Sequence, residues 1–446
     1  MEHIVEMIWN PYLLLFFLGV GIYLSLLSGF FQGKFPLWWK GTIGHKDTKS
    51  QVTALFTALA TTIGTGSIAG VATAIWFGGA GAVFWMWVSA FFGMMISACE
   101  KILTIEYRKE IWKDQFVGGP MYYMERGLGW HFLAKFYAVA CLFATLIGGN
   151  LVQSSAIAQG MHHLFSLPKL WVGFVLMALV FLALKGGLDY VGKISNVLVP
   201  LMATIYLGAG LFCILQDLPT LWTVWKEIFR SAFSTEAVLG GGMYTAIRYG
   251  MARGIFSNEA GLGASAMAHG NAKVDHPARQ GLWGIVEVFF ATMIVCTLTA
   301  LVILTSGIYT HSLAQQYLLS GEPPPIPIGV PMTQAAFSVL LGQWGSGIVL
   351  FSLILFAFTS ILGWSCYGAQ CLSYLTRNQK AQKLYYVVTA ICIFWGSKGE
   401  TASLWLWVDF SIIWIAIPNL LALVCLAPKA IGLLEDWNKR EPLKRK

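Results

Sequence analysis

Ala60-Thr-Thr-Ile-Gly64-Thr-Gly66-Ser67-Ile-Ala-Gly70 interrupts one apolar segment of the chain, and Arg253-Gly254-Ile-Phe-Ser257-Asn258-Glu259-Ala-Gly261-Leu-Gly263 interrupts another in its second half. In lipid, an unpaired backbone amide finds no water, so glycine-loosened helices persist only where protein or a cavity surrounds them. Freed carbonyls, amides and half-helix ends at such breaks coordinate ions and polar solutes near the bilayer midplane. The two breaks mark a transporter candidate and an all-α membrane protein.

Composition agrees. The 446 residues are 57% hydrophobic and 11% charged, with 19 Trp and 29 Phe, which excludes a soluble multidomain protein. Apolar stretches that reach or approach the roughly 20 residues of a membrane crossing fall at 9–32, 52–78, 81–101, 134–161, 170–185, 190–214, 237–268, 282–307, 346–375, 384–397 and 403–427. The fifth and tenth are short. Glu2 and Glu6, but no Lys or Arg, precede the first stretch. No small-residue cleavage pattern follows it, so it reads as a retained helix and not a signal peptide.

Lysine and arginine test this count. With eleven spans and the N-terminus outside, the cytoplasmic segments hold 23 of the 29. Lys169, Lys226, Arg230 and Lys398 are external, and Arg248 and Arg253 lie within a span. This asymmetry follows the positive-inside rule and places the C-terminus in the cytoplasm. The net charge of +8 is then an orientation signal toward anionic headgroups of the lipid bilayer, not a nucleic-acid footprint. The eight Cys lack CxxC spacing and read as small buried apolar groups, without a disulfide framework or metal site. Among the histidines only His162-His163 are paired, at a span end.

The whole chain reads as a single polytopic domain, with a leading helix (9–32), a first repeat (52–214), a second repeat (237–427) and a cytoplasmic tail (428–446). Beyond the leading helix, ten spans divide as five plus five. An odd number of crossings per half inverts the second half, and a broken segment leads each one. That is the leucine-transporter type of inverted repeat. The external stretch 308–345, with Gly321-Glu-Pro-Pro-Pro-Ile-Pro, reads as a stiffened surface cover.

The breaks carry the candidate chemistry. Gly64, Gly66 and Gly70 permit either close helix packing or unwinding, and Thr61, Thr62, Thr65 and Ser67 supply hydroxyls suited to a hydrated cation. Ser257, Asn258 and Glu259 are consecutive polar groups in an apolar span. A buried ionisable group such as Glu259 is functional by default, with Arg253 or a backbone amide as its structural partner otherwise. Amides ahead of the second half-helix would suit a substrate carboxylate. Thr359 and Ser360 either bond back to their own turn or face span two. Asn150 and Gln153 share a face at i and i+3. Asp409 sits near the external end of the eleventh span and Arg253 on the external half of the seventh, where they form either a gate over bound solute or two unrelated snorkelling ends. Glu287 faces either the cytoplasmic vestibule or a helix partner.

These residues resemble the alanine or glycine:cation symporters, also known as sodium/alanine symporters. The landmarks are Gly64-Thr-Gly-Ser-Ile-Ala-Gly, Gly79-Ala-Gly-Ala-Val-Phe-Trp-Met-Trp-Val, Gly118-Gly-Pro-Met-Tyr-Tyr, Asn150 with Gln153, Arg253-Gly-Ile-Phe-Ser-Asn-Glu-Ala-Gly, Cys296-Thr-Leu-Thr-Ala, Phe358-Thr-Ser-Ile-Leu-Gly-Trp and Ile417-Pro-Asn-Leu. The resemblance implies eleven spans in the leucine-transporter type of fold, in the cell (inner) membrane, and symport of alanine or glycine with sodium. It implies a substrate site at the backbone of Thr65 and Gly66 with Gln153, Phe256, Ser257, Asn258 and Trp364. It also implies a sodium site from carbonyls of Ala60, Ile63 and Phe356 and hydroxyls of Thr359 and Ser360. The chain departs from the family pattern at Ser67, usually Asn, at Ala291, usually Asp, and at Ala369, usually Glu. Sodium is the coupling ion and no other cofactor is expected.

The leading expectation is uptake of a small neutral amino acid by alternating access. Its alternatives are a proton-coupled or uncoupled exchanger and, from another class, an integral-membrane enzyme. No HExxH, GxSxG or Walker motif supports an enzyme or an ATP-driven pump. Pocket size, enantiomer and oligomeric state are not written in the sequence.

Overall fold

A chain that must pair its own amides in lipid folds into helices, and among the described residues the regular structure is helical apart from one hairpin. The computed structural model describes residues 12–42, 48–112, 115–234, 242–320, 324, 326–376, 378–399 and 401–440. Its first part comprises α1 (Tyr12–Leu27), α2 (Phe35–Thr42), α3 (Thr48–Thr62), α4 (Val71–Gly78) and α5 (Gly81–Glu106). The hairpin β1 (Lys109–Trp112) with β2 (Gln115–Val117) follows, antiparallel and irregular between Glu110 and Trp112. Next come α6 (Pro120–Leu128), α7 (His131–Ala144), α8 (Val152–Phe165), α9 (Lys169–Leu184), α10 (Gly187–Leu215) and α11 (Leu218–Ala232). The second half holds α12 (Met243–Asn258), α13 (Ala266–His269), α14 (Pro277–Val288), α15 (Thr297–Thr305), α16 (His311–Ser320) and α17 (Val330–Leu341). It ends with α18 (Trp344–Leu375), α19 (Gln379–Gly396) and α20 (Thr401–Arg440).

Among the described residues, six uninterrupted helical runs are long and apolar enough to cross a membrane: Gly81–Glu106, His131–Phe165, Tyr190–Leu215, Pro277–Thr305, Trp344–Leu375 and Leu404–Arg440. The pair Thr48–Thr62 and Gly66–Gly78, bent by 52° between its halves, is long and apolar enough only when its two helices are taken together. Tyr12–Leu27, Lys169–Leu184 and Val330–Leu341 are shorter apolar helices.

Helix α5 packs along both α12 and α14. Small residues set the approach: a Cβ on Gly250 would lie 2.3 Å from the Ala82 carbonyl oxygen, and one on Gly254 would lie 2.4 Å from Ser89 Oγ. Glycine four residues apart thus brings two backbones together where lipid offers no hydrophobic drive for association. Within the long runs, Gly66–Gly70, Thr145–Leu151 and Phe289–Cys296 are wound as π-helix.

The structure revises several expectations. The last span continues as helix through Pro418 and Pro428 to Arg440. Residues 237–241 of the seventh stretch, and 321–323 and 325 of the proline-rich loop, lie outside the described residues. The 308–345 stretch is more than a cover, because α17 is inserted against the first break, where Thr333 Oγ1 donates to the Ile68 carbonyl at 3.2 Å. In the 215–236 stretch Asp217 caps α11, accepting from Thr220 N–H at 3.1 Å and Thr220 Oγ1 at 2.6 Å. Those bonds hold its carboxyl below the usual carboxylate range.

Candidate functional site

At the first break the backbone leaves the helix at Ile63 and Gly64 and resumes at Thr65. Glycine at 64 and 66 is dictated by crowding. A Cβ on Gly64 would meet Ser360 Oγ at 2.6 Å, and one on Gly66 would meet the Phe256 ring at 2.9 Å and Ser257 Cα at 3.2 Å. The two breaks therefore touch. Ser67 Oγ lies 3.1 Å from Ser257 Oγ, which lies 3.1 Å from Cys296 Sγ. Asn258 Nδ2 donates to Thr292 Oγ1 at 3.2 Å. These three π-wound segments adjoin this spot, through Ser67, through Gly148, where a Cβ would lie 3.9 Å from the Phe256 ring, and through Thr292 with Cys296. Such bulges turn side chains off the regular helical face and frequently occur at functional sites.

Between the breaks lies a cavity of about 10 Å³, lined by Thr61, Thr62, Gly64, Gly66, Gln153, Phe256, Glu259 and Trp364. It has room for about one water molecule, so an amino acid enters only if the walls move. Of the residues expected to bind substrate, Gly66, Gln153, Phe256 and Trp364 form this wall. The Thr65 amide donates to Gln153 Oε1 at 3.2 Å. Its hydroxyl is buried without a hydrogen-bond partner among the described residues. Ser257 instead ties the breaks together through Ser67, and Asn258 is held by Thr292 and by the Ala260 amide, which donates to its Oδ1 at 3.0 Å. Asn150 diverges from Gln153, its Oδ1 accepting from Ser365 Oγ at 3.2 Å. The π-wound turn beside it removes the shared i, i+3 face.

The expected sodium oxygens split into two sets. Ser360 Oγ reaches across from α18 to the carbonyls of Ala60 at 2.9 Å and Thr61 at 3.2 Å. Thr359 Oγ1 donates to its own turn, to Leu355 at 2.9 Å and Phe356 at 3.0 Å. Ile63 stands at the bend. The set is neutral and made wholly of oxygen, which suits a hard monovalent cation. No group of three His, Cys, Asp or Glu able to hold a metal occurs among the described residues.

The second break corrects two expectations. Glu259, in a left-handed conformation (φ 56°), caps α12. Its partner is neither Arg253 nor an amide: Thr61 Oγ1 lies 3.3 Å from its Oε2. The amides beyond it are not open to a substrate carboxylate, because Gly261 and Gly263 N–H both donate to Glu100 Oε1 at 3.0 Å. Asn419 Nδ2 donates to the same oxygen at 2.7 Å. Only one helical turn, α13, follows, so no full half-helix stands there. Glu287 does have a helix partner, with Lys101 Nζ 3.2 Å and His269 Nε2 3.3 Å from its Oε2, all three fully buried.

Toward the Met243 end of α12, Arg253 and Asp409 meet in a bidentate pair at 2.9 and 3.3 Å. The guanidinium stacks 4.5 Å from the Trp405 ring, which packs edge-on against Phe256 at 4.8 Å. The far side differs. There a cleft of about 380 Å³ runs between α3, α10 and the chain after α13, past Thr53, Thr57, Lys193 and Asn196.

Sequence reasoning missed Glu100, Asn419 and Lys101. Glu100-Lys101 reads as the solvated end of an apolar run, yet α5 continues to Glu106 and both side chains are buried.

Comparison with known proteins agrees with this geometry. In sequence, the chain is 38% identical to the sodium/alanine symporter AgcS of Methanococcus maripaludis, over 97% of this chain and 95% of the relative. It is 35% identical to the transporter YflA of Bacillus subtilis, over 98% and 92%. In structure it is similar to a manganese transporter of Eremococcus coleocola, with a TM-score of 0.55 at 16% identity over 90% of this chain and 88% of the other. That likeness speaks for the fold alone. The model of the sodium:alanine symporter family matches residues 1–446. The chain is a multi-pass membrane transporter, not an enzyme, and it belongs to the sodium:alanine symporter family.

Proposed function

We propose that this symporter takes up alanine or glycine together with sodium by alternating access, and that the substrate sits where the two breaks meet. The contact of Gly66 with Phe256 and Ser257 around a small polar-walled cavity carries this reading. The substrate carboxylate takes the Thr65 and Gly66 backbone at the head of a half-helix, whose free amides and dipole favour an anion. Gln153 Oε1, which accepts the Thr65 amide when no ligand is bound, then yields that amide, and its Nε2 donates to the carboxylate. Phe256 and Trp364 bound the side-chain pocket, and walls this close favour the smallest side chains. AgcS carries sodium and alanine in its name, which supports the same pairing here.

Sodium sits between α3 and α18, held by carbonyls of Ala60, Ile63 and Phe356 and by hydroxyls of Thr359 and Ser360. It joins the movable first half of the broken span to a fixed helix. The Arg253–Asp409 pair closes the external side, and the cleft beside Thr57 leads to the cytoplasm. The full frame is eleven spans in the cell (inner) membrane, as a leading helix and two inverted sets of five, N-terminus outside. Thermal stabilisation of the purified protein across amino acids, with sodium or with potassium, tests this, because a ligand raises the stability of the state it binds. Alanine and glycine should stabilise strongly with sodium and weakly without. Equal stabilisation in potassium overturns the sodium assignment, and stabilisation by large amino acids alone overturns the pocket.

A further inference from the structure

Far from the breaks, beside the hairpin and the start of α7, a cleft of about 430 Å³ is lined by Lys109, Arg126, His131 and Lys135, with Glu125 the sole acidic side chain in its wall among the described residues. His131 Nδ1 lies 3.5 Å from Glu125 Oε1, so the carboxylate already has a neighbour. Lys109, Arg126 and Lys135 leave the wall net positive. Arg126 is fixed in place by a bond to the Arg108 carbonyl at 2.7 Å. The cleft lies on the membrane face that carries Lys429, since Lys429 bonds Glu106 at 2.7 Å just ahead of the hairpin.

The cleft continues into an apolar row. Phe132, Val139 and Phe143 are 82, 57 and 42% exposed, and Lys135, also exposed, stands in the same row between them. Spacings of three, four and four residues keep all of them on one side of the helix. From Phe132 to Phe143 the row is about 16 Å long at 1.5 Å per residue, close to the half-thickness of a roughly 30 Å hydrocarbon core. This corner of the molecule thus offers cations at the membrane surface, and beyond Lys135 one face of α7 carries exposed Val139 and Phe143 into the leaflet. A soluble anion would use only the first feature.

We propose that this cleft binds an anionic membrane phospholipid, its phosphate between Lys109, Arg126 and Lys135 and an acyl chain along Phe132, Val139 and Phe143. Basic pockets at the helix ends of one membrane face are where lipid head groups are recognised. The site is independent of the transport cycle proposed above. It makes the preference for anionic lipid a property of one cleft and not of the overall positive charge.

The test uses the full chain in nanodiscs of phosphatidylcholine, with or without phosphatidylglycerol, and reads the melting temperature against lipid content. Phosphatidylglycerol should stabilise the parent protein. Lys109→Ala/Lys135→Ala should weaken the apparent lipid affinity roughly tenfold or more, at about fivefold per cation removed. The control Lys34→Ala/Lys40→Ala removes the same charge from other exposed lysines and should behave as the parent. Melting in pure phosphatidylcholine reports whether a variant folds. If the double variant does not, Lys135→Glu alone, a change of one exposed side chain, should give a comparable loss. Equal responses of cleft and control variants, or no preference for phosphatidylglycerol, overturn the proposal. Equal protection by inorganic phosphate in detergent also overturns it, assigning the cleft to a soluble anion.

Discussion

The two breaks use the same ingredients, glycine beside hydroxyl and amide side chains, and come to opposite ends. The first is loosely held. Its partners include the neutral Gln153, Ser360 and Thr333, the carboxyl of Glu259 reaches Thr61 at 3.3 Å, and a full half-helix follows its 52° bend. The second is clamped on both sides. One carboxylate oxygen of Glu100 gathers two backbone amides and Asn419, and Arg253, five residues before the break, is paired with Asp409. A site formed by one free and one fixed edge can open without losing its reference frame. If the substrate sits where we propose, the first break is the edge that binds and moves, and the second is its support.

The largest effect is expected at the clamp. Glu100→Ala strips three buried donors of their acceptor and removes a charge 3.7 Å from Lys101. Breaking such a buried set costs about 3–5 kcal/mol, a large part of an ordinary stability of roughly 5–15 kcal/mol. Melting in detergent should fall sharply, and Glu100→Gln, which keeps an acceptor oxygen, should fall less. If Glu100→Ala melts as the parent and loses only alanine binding, the second break is not the fixed edge. Asp409→Asn comes next. It retains an oxygen but gives up a charged hydrogen bond worth about 1.5–3 kcal/mol. The lid over Phe256 should loosen, so labelling of buried Cys296 by a thiol reagent, read by mass spectrometry, should rise tenfold or more. Unchanged labelling would remove Arg253–Asp409 from the gate.

Paired glycine variants sharpen the contrast at intermediate size. Gly261 has φ +82°, which costs an L-residue about 1–2 kcal/mol, so Gly261→Ala should lower melting while leaving alanine affinity in the surviving protein near normal. Gly66 has no such φ. A methyl there presses on Phe256 and Ser257, and overpacking of about 1–3 kcal/mol should appear as roughly tenfold weaker alanine binding. Identical profiles for the two variants would erase the distinction.

Much of this was legible in the sequence because isolated polar residues stand out against lipid-facing composition. The first break announces itself that way, while Gly64 and Gly66 read equally as packing or unwinding, and Arg253 with Asp409 equally as a pair or as two unrelated ends. The clamp does not. Glu100 and Lys101 follow each other at the end of an apolar run, where charges normally meet water. Their burial depends on α14 and α20 closing over them, a tertiary fact with no local pattern. The π-wound turns are equally silent, since an extra residue in a turn leaves composition unchanged, and one of them parts Asn150 from Gln153. The family resemblance implies Asn258 as a substrate ligand, and the bonds it makes here, to the Ala260 amide and Thr292, are not written in the sequence.

The smallest effect separates two adjacent hydroxyls. Ser360 Oγ already touches the first break, while Thr359 Oγ1 bonds within its own turn. If sodium draws on both, Ser360→Ala and Thr359→Val should each raise the sodium concentration for half-maximal stabilisation. One lost ligand is worth about 1 kcal/mol, roughly fivefold. Ser360→Ala should exceed Thr359→Val, because it also removes the tie that holds the Ala60 and Thr61 carbonyls toward α18. A shift in Ser360→Ala alone would leave Thr359 to its own helix and reduce the ion's shell by one oxygen. No shift in either would place sodium elsewhere and make the Ser360 bridge a packing contact. The free edge would then need another explanation for its mobility.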